Sequence, residues 1–250
     1  MAYLSWISDE DLINAVKYVD LSLKGALSIL RLETLQSNVI DPFSLLFETK
    51  LGEISVQQWI ENETQRQTQK TVQNALGKFH EMILGRVNGW QHLGIGHETG
   101  LDLRNEEKTI YAELKNKYNT LNDDGNYAVR EKLFSLIDKN PQVTAYLVHI
   151  IRKTKRPYNK EWIKKEGRND PRVKVISGDL FYALVTSQNT ALLDLYNKLP
   201  EVIESLKANE EEFTFSDSTA MEELKIKLGS ENPTNIDFLK YFFESAYPKF

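Results

Sequence analysis

The sequence predicts an α/β protein: a mixed central β-sheet flanked by helices, with extra helices at the N- and C-terminal ends. Three observations carry this. Thr109–Lys115 (TIYAELK) alternates at period two and has β-branched and aromatic residues early in the run, which marks a strand. Thr144–Ile151 (TAYLVHII) is an apolar run of strand length, as a buried core strand requires. Stretches at 8–35, 55–84 and 127–139 read as helices.

Length and composition set the bounds. A chain of 250 residues with 41% hydrophobic content can bury a substantial core. We read 1–250 as a single domain with a helical region at 1–50, a core at 55–180 and a helical region at 181–250. The absence of cysteine excludes disulfides and cysteine zinc sites and fits a reducing cytoplasm. MAYLSWISDEDL has no basic region and no long apolar run, so no signal peptide is expected. No segment has the apolar length of a membrane helix.

In chain order, Ser8 can cap the first helix, with Asp9, Glu10 and Asp11 in its first turn. Leu12, Ile13, Val16 and Val19 form its apolar stripe, and Asp41-Pro42 marks a break. Ser55 and Gln58 make a capping-box pattern for the long helix. Its middle, Glu61–Thr71, contains no apolar residue, so it is either solvated or lines a site. Glycine-rich 85–100 holds a first strand around Trp90–Leu93. His92 and His97 lie here, without zinc-ligand spacing. His149, inside the apolar run, reads as a satisfied core residue. Val173–Ile176 is a further strand, Gly178-Asp179 starts a helix, and Leu180–Leu206 is helical with a break expected near Pro200. The rest is helical and acidic, and its aromatic tail, Phe238–Phe250, packs on the core or on a partner subunit.

The chemistry concentrates in Gly100–Asn122 (GLDLRNEEKTIYAELKNKYNTLN). Side chains two apart on a strand share a face, so Ile110, Ala112 and Leu114 point to a core and Tyr111, Glu113 and Lys115 point the other way. The polar run Arg104–Lys108 suits a hairpin turn that brings Asp102 near Glu113. Two carboxylates make a hard oxygen site for Mg²⁺, and such an ion can polarise a phosphodiester and acidify a water. A lysine beside them can orient that water. Glu-x-Lys also occurs at Glu48, Glu106 and Glu223, but only Glu113 combines a strand pattern with an upstream aspartate.

A net charge of −5 is unhelpful for binding a polyanion, yet residues 152–174 hold ten Lys/Arg against three Asp/Glu. That basic strip, and the amide-rich Asn116–Asn122 with Lys117, suit phosphate and base-edge contacts. A solvated charged loop and ordinary turn-forming asparagines are the alternatives.

Asp102, Glu113 and Lys115 resemble the three motif positions of the PD-(D/E)XK nuclease superfamily, with Leu101 where the family has proline. The longer string, and the upstream ENETQRQTQKTVQNALGKFHEMILG, resemble a group of type II restriction endonucleases cutting GGNCC-type sites. The similarity covers roughly 55–125. It implies a restriction-endonuclease-like fold and a Mg²⁺ ion on Asp102, Glu113 and the Leu114 carbonyl, with Lys115 positioning or activating the water. It also implies a glutamate from the preceding helix. Glu61 and Glu63 are the first candidates and Glu81 the third, each with a solvated helix face as its alternative. DNA contacts are expected from Lys117, Asn119, Thr120, Asn122, Arg152, Lys153, Lys155 and Arg156. The implied protein is a cytoplasmic prokaryotic homodimer cutting double-stranded DNA at a palindrome, beside a cognate methyltransferase acting on the same site. No phosphate-cradling GxxxxGK[ST] loop is present, so ATP-driven activity is not expected. The competing readings are a repair or structure-specific nuclease of the same fold, and a non-enzymatic helical interaction protein.

Overall fold

The structure, a computed structural model, describes residues 2–27, 39–94, 96–208 and 220–246. The chain forms two compact units: Met1–Val19 with Asn74–Glu211, and Asp20–Gln73 with Glu212–Phe250.

The elements, in order, are α1 (Asp9–Leu27), α2 (Pro42–Lys50), α3 (Val56–Leu84), β1 (Trp90–His92), β2 (Leu103–Asn105), β3 (Ile110–Lys117), α4 (Asp123–Lys139), β4 (Thr144–Ile151), β5 (Asn159–Glu161), β6 (Val173–Ser177), α5 (Gly178–Thr186), α6 (Ala191–Lys207), α7 (Ala220–Leu228) and α8 (Asn235–Ala246). The sheet runs β1-β2-β3-β4-β6-β5, with β3-β4 and β4-β6 parallel and the other pairs antiparallel. The expected mixed sheet between helices is therefore present.

Local chemistry explains most boundaries. The Ser8 hydroxyl accepts from the Asp11 amide at 3.1 Å and the Ser55 hydroxyl from the Gln58 amide at 3.1 Å, so both serines cap, but the Gln58 side chain donates to Asn62 at 3.1 Å instead of closing a capping box. Asp41 caps α2, with Pro42 at the first helical position. The part of the first predicted helix at 28–35 lies outside the described residues. The C-terminal helical stretch breaks at Ser187–Thr190 rather than at Pro200. Ser187 takes a left-handed conformation (φ 59°) that ends α5, whereas Pro200 sits within α6 between the buried Leu195 and Val202. Strand β5, inside the basic connection, has no apolar pattern. It forms because β6 offers it an open edge.

The alternation of β3 sorts its side chains as expected. Ala112 and Leu114 join Tyr146, Val148 and Ile150 under α1, α3, α5 and α6. Tyr111 joins Ala145, Leu147 and Val173 under α4. The sheet is thus covered on both faces. The N-terminal segment belongs to this unit: Leu4, Trp6, Leu12, Ala15 and Val16 are buried in the first of these cores. The other unit has its own core, where Trp59 and Ile60 meet Leu45, Leu224, Phe238 and Phe242, so the start of the aromatic tail packs on core residues, and its last residues, 247–250, lie outside the described residues.

Two positions make measurable demands. His149 on β4 lies 2.8 Å from the Tyr158 hydroxyl, and burial pushes its pKa from 6.5 down to about 4. The unfolded chain therefore gains a proton between pH 6.5 and 4 that the folded one refuses, so stability is lost as pH falls through that window. His149→Gln should remove this loss. In urea melts, the stability of wild type relative to the variant should drop by about 1–3 kcal/mol from pH 7 to pH 4.5. A pH-independent difference would refute it. At Gly85, just past α3, a Cβ would lie 2.5 Å from His92 Cβ and 2.6 Å from His92 N. Gly85→Ala must push β1 away, at a cost of about 1–3 kcal/mol. A melting temperature equal to wild type would contradict that close approach.

Candidate active site

Asp102 precedes β2 and is pinned on both sides. Its amide donates to Ala112 O at 3.0 Å and its carbonyl accepts from Leu93 N at 2.9 Å. Its carboxylate Oδ2 accepts from the Leu114 amide at 2.7 Å, which draws the side chain to β3. Asn105 holds the hairpin turn, where its Oδ1 accepts from the amides of Thr109 (2.9 Å) and Ile110 (2.8 Å). Glu113, on β3, is 5% exposed, and its Oε1 accepts from Lys115 Nζ at 2.8 Å. Its Oε2 is buried and has no hydrogen-bond partner among the described residues. Burial pushes the Asp102 carboxyl from 3.8 up to about 7, and the charges of Glu113 and then Glu81 push the same way. The Leu114 amide and Lys115 oppose them. A β-hairpin thus holds two carboxylates and an amine together, and the Asp102 carboxylate is electrostatically strained.

The third carboxylate, Glu81, comes from the last turn of α3. Its Oε2 lies 2.9 Å from Lys78 Nζ and 3.0 Å from His92 Nε2, and those two nitrogens are 2.7 Å apart. Lys78 and Glu81 meet because residues three apart stack on a helix. His92 reaches them from β1 because Gly85 lets that strand approach. Lys78 was not singled out by sequence reasoning, and Glu81 ranked third. The Lys-x-x-Glu spacing was visible, but the strand approach was not.

Comparison with known proteins then decides the family. The model of the Eco47II restriction endonuclease family matches residues 4–207. The chain belongs to that family. This restriction endonuclease is 37% identical to the type II restriction enzyme Eco47II of Escherichia coli, over 97% of this chain and 98% of the relative. It is 32% identical to the type II restriction enzyme Sau96I of Staphylococcus aureus, over 79% of this chain and 78% of the relative. Membership makes it a site-specific deoxyribonuclease and DNA its class of substrate.

Restriction endonucleases generally use a divalent metal, and this endonuclease has residues that fit one. The orphaned Glu113 Oε2 and the raised Asp102 carboxyl mark convergent carboxylates whose charge a divalent cation would neutralise.

The other predicted residues of the endonuclease fall into two groups. Lys117 ends β3 in register with Ile151 of β4, and Tyr118 N donates to Ile151 O at 3.1 Å. The 117–122 turn and the 152–156 loop therefore both leave the C-terminal ends of the central strands β3 and β4, the end of the sheet nearest Lys115. Lys153, Lys155, Arg156, Asn119 and Thr120 are exposed there. Arg152 is committed within its loop, pairing with Asp179 and donating to Thr154 O (3.0 Å) and Lys155 O (2.8 Å). The Asn122 side chain accepts from the Gly125 amide at 2.8 Å as the N-cap of α4, and Thr120 Oγ1 donates to Lys117 O at 2.8 Å. Glu61 and Glu63 belong to the other unit. There Glu61 accepts from Gln57 at 3.3 Å, while the buried Glu63 pairs with Arg66 and accepts from Gln67 at 2.8 Å. Further along the basic strip, Arg168 forms a bidentate pair with Asp138 and Arg172 pairs with Asp170, so part of that charge is neutralised internally. Among the described residues, no helix is long and apolar enough to cross a membrane.

Proposed function

We propose that the chain hydrolyses double-stranded DNA at a specific palindromic site of the GGNCC type, in a Mg²⁺-dependent reaction. It acts as a two-fold homodimer, alongside a cognate methyltransferase that protects the same sequence. The observation that carries this reading is the hairpin: Asp102 and Glu113 converge, with one Glu113 oxygen buried and unpartnered. Asp102, Glu113 and the Leu114 carbonyl hold the ion. When bound, Mg²⁺ supplies polarisation of the scissile phosphate and a water of lowered pKa. Lys115, anchored on Glu113 Oε1, orients the attacking water and offsets charge building on the phosphorane. Attack is in line and leaves a 5′-phosphate and a 3′-hydroxyl. Lys117, Lys153, Lys155 and Arg156 contact the DNA backbone from the C-terminal ends of β3 and β4, and Asn119 and Thr120 reach towards the grooves.

The test is a digest of unmethylated phage DNA with Mg²⁺ and with EDTA. Discrete fragments with Mg²⁺ only are expected, and sequencing their ends gives the site. A smear, or cutting confined to junctions, would replace this reading with a structure-specific nuclease. No cutting with any divalent metal would end it.

A further inference from the structure

The chemistry of Asp102, Glu113 and Lys115 leaves the Lys78–Glu81–His92 cluster unused. Its geometry is unusual for an ion pair. Lys78 Nζ is within 2.9 Å of Glu81 Oε2 and within 2.7 Å of His92 Nε2, while those two acceptor atoms are 3.0 Å from each other.

The 2.7 Å contact between the two nitrogens is a hydrogen bond only if one of them offers a lone pair, and an ammonium offers none. If His92 Nε2 carried a proton for Glu81, that N–H and the ammonium would face each other at 2.7 Å as two donors. If Nε2 is a bare lone pair, Lys78 donates one proton to it and another to Glu81 Oε2. The carboxylate oxygen and the imidazole nitrogen then aim two lone pairs at one positive centre. A mixed carboxylate–imidazole pair of this kind is also what Mn²⁺ or Zn²⁺ takes as ligands. The three groups are largely covered, with side-chain exposures of 29%, 18% and 26% for Lys78, Glu81 and His92.

The neighbourhood favours a cation at this point. Glu81 lies close enough to raise the pKa of Asp102, so three carboxylates share one region, against the ammonium groups of Lys78 and Lys115. Each lysine holds one oxygen of its glutamate: Lys115 takes Glu113 Oε1 and Lys78 takes Glu81 Oε2.

We propose that the Lys78 ammonium is a built-in cation occupying a divalent-metal position formed by Glu81 and His92. The protein therefore takes one divalent ion, at Asp102 and Glu113, and accepts a second only when Lys78 is removed. The count in the wild type rests on the Asp102–Glu113 reading; the second position does not. Lys78 is thus a positioning residue that sets metal stoichiometry and holds Glu81 beside Asp102.

The experiment titrates full-length protein with Mn²⁺ alone and follows free Mn²⁺ by electron paramagnetic resonance, with folding checked by circular dichroism. The expected counts are one ion in wild type and in Lys78→Arg, none in Glu113→Gln, two in Lys78→Met, and one in the double variant Lys78→Met/His92→Ala. Lys78→Ala replaces Lys78→Met if the latter does not fold. Two ions in wild type or in Lys78→Arg would overturn the proposal. So would one ion in both wild type and Lys78→Met, which leaves Asp102 and Glu113 standing as ligands. No ion in wild type but one in Lys78→Met would support the proposal and remove the Asp102–Glu113 reading instead.

Discussion

Glu113→Gln is expected to slow DNA cleavage by roughly 10³-fold or more, about 4 kcal/mol of barrier, while DNA binding stays near wild type. Glutamine matches glutamate in shape, and its carbonyl oxygen can still accept from Lys115, so the lysine keeps its place. What disappears is the charge on a side chain that is 5% exposed and whose second oxygen has no protein partner. Removing the Glu113 charge costs the Lys115 ion pair but relieves Asp102 of its repulsion, so the variant should melt close to wild type. Single-turnover cleavage and fluorescence anisotropy with the same duplex separate the two effects. Cleavage at the wild-type rate would remove Glu113 from the mechanism. Loss of binding and cleavage together would mean that Glu113 supports the fold rather than the chemistry.

Asp102→Asn should show opposite effects on stability and on metal response. Without metal, the folded chain holds the Asp102 proton up to about pH 7, whereas the unfolded chain releases it near 3.8. The folded state therefore loses stability as pH rises between those values and carries the whole cost above pH 7. Asparagine has no such cost, and its oxygen can still accept from the Leu114 amide. At pH 8 without metal, the variant should be more stable than wild type by about 1–3 kcal/mol. The gap should close as pH falls towards 4. With Mg²⁺ the ranking should reverse: wild type gains stability through binding and the variant gains little. Thermal melts at two pH values, with and without Mg²⁺, give all four numbers. A variant less stable than wild type at pH 8 without metal would show that Asp102 is not under electrostatic strain. An equal Mg²⁺ shift in both proteins would place the ion elsewhere.

The two variants bear on one arrangement. Carboxylates that repel each other in the free protein store a cost which a divalent cation relieves, so affinity for metal and modest stability without it share an origin. The flanking lysines limit that cost without abolishing it.

The parts of this protein legible in sequence are those set by near neighbours. Glu113 and Lys115 are two residues apart on one strand, so they share a face whatever the rest of the chain does. Asp102 lies across a single hairpin turn, and period-two alternation fixed which side of β3 carried the chemistry. The buried strand β4 and the caps at Ser8 and Ser55 were visible for the same reason. Only the tertiary structure decided the remainder. Glu81, rather than Glu61 or Glu63, has its charge felt at Asp102, because that depends on how the end of α3 meets β1 at Gly85. Glu61 and Glu63 lie in the polar run of the long helix and Glu81 beyond it, and nothing local to the helix says which of them meets Asp102. Strand β5 exists through the edge of β6, not through its own residues. Arg152, Arg168 and Arg172 read as free positive charge in sequence, yet each meets a carboxylate distant along the chain or held in a tight turn. Local periodicity reports which face a residue takes. It carries no information about what another element, tens of residues away, brings to that face.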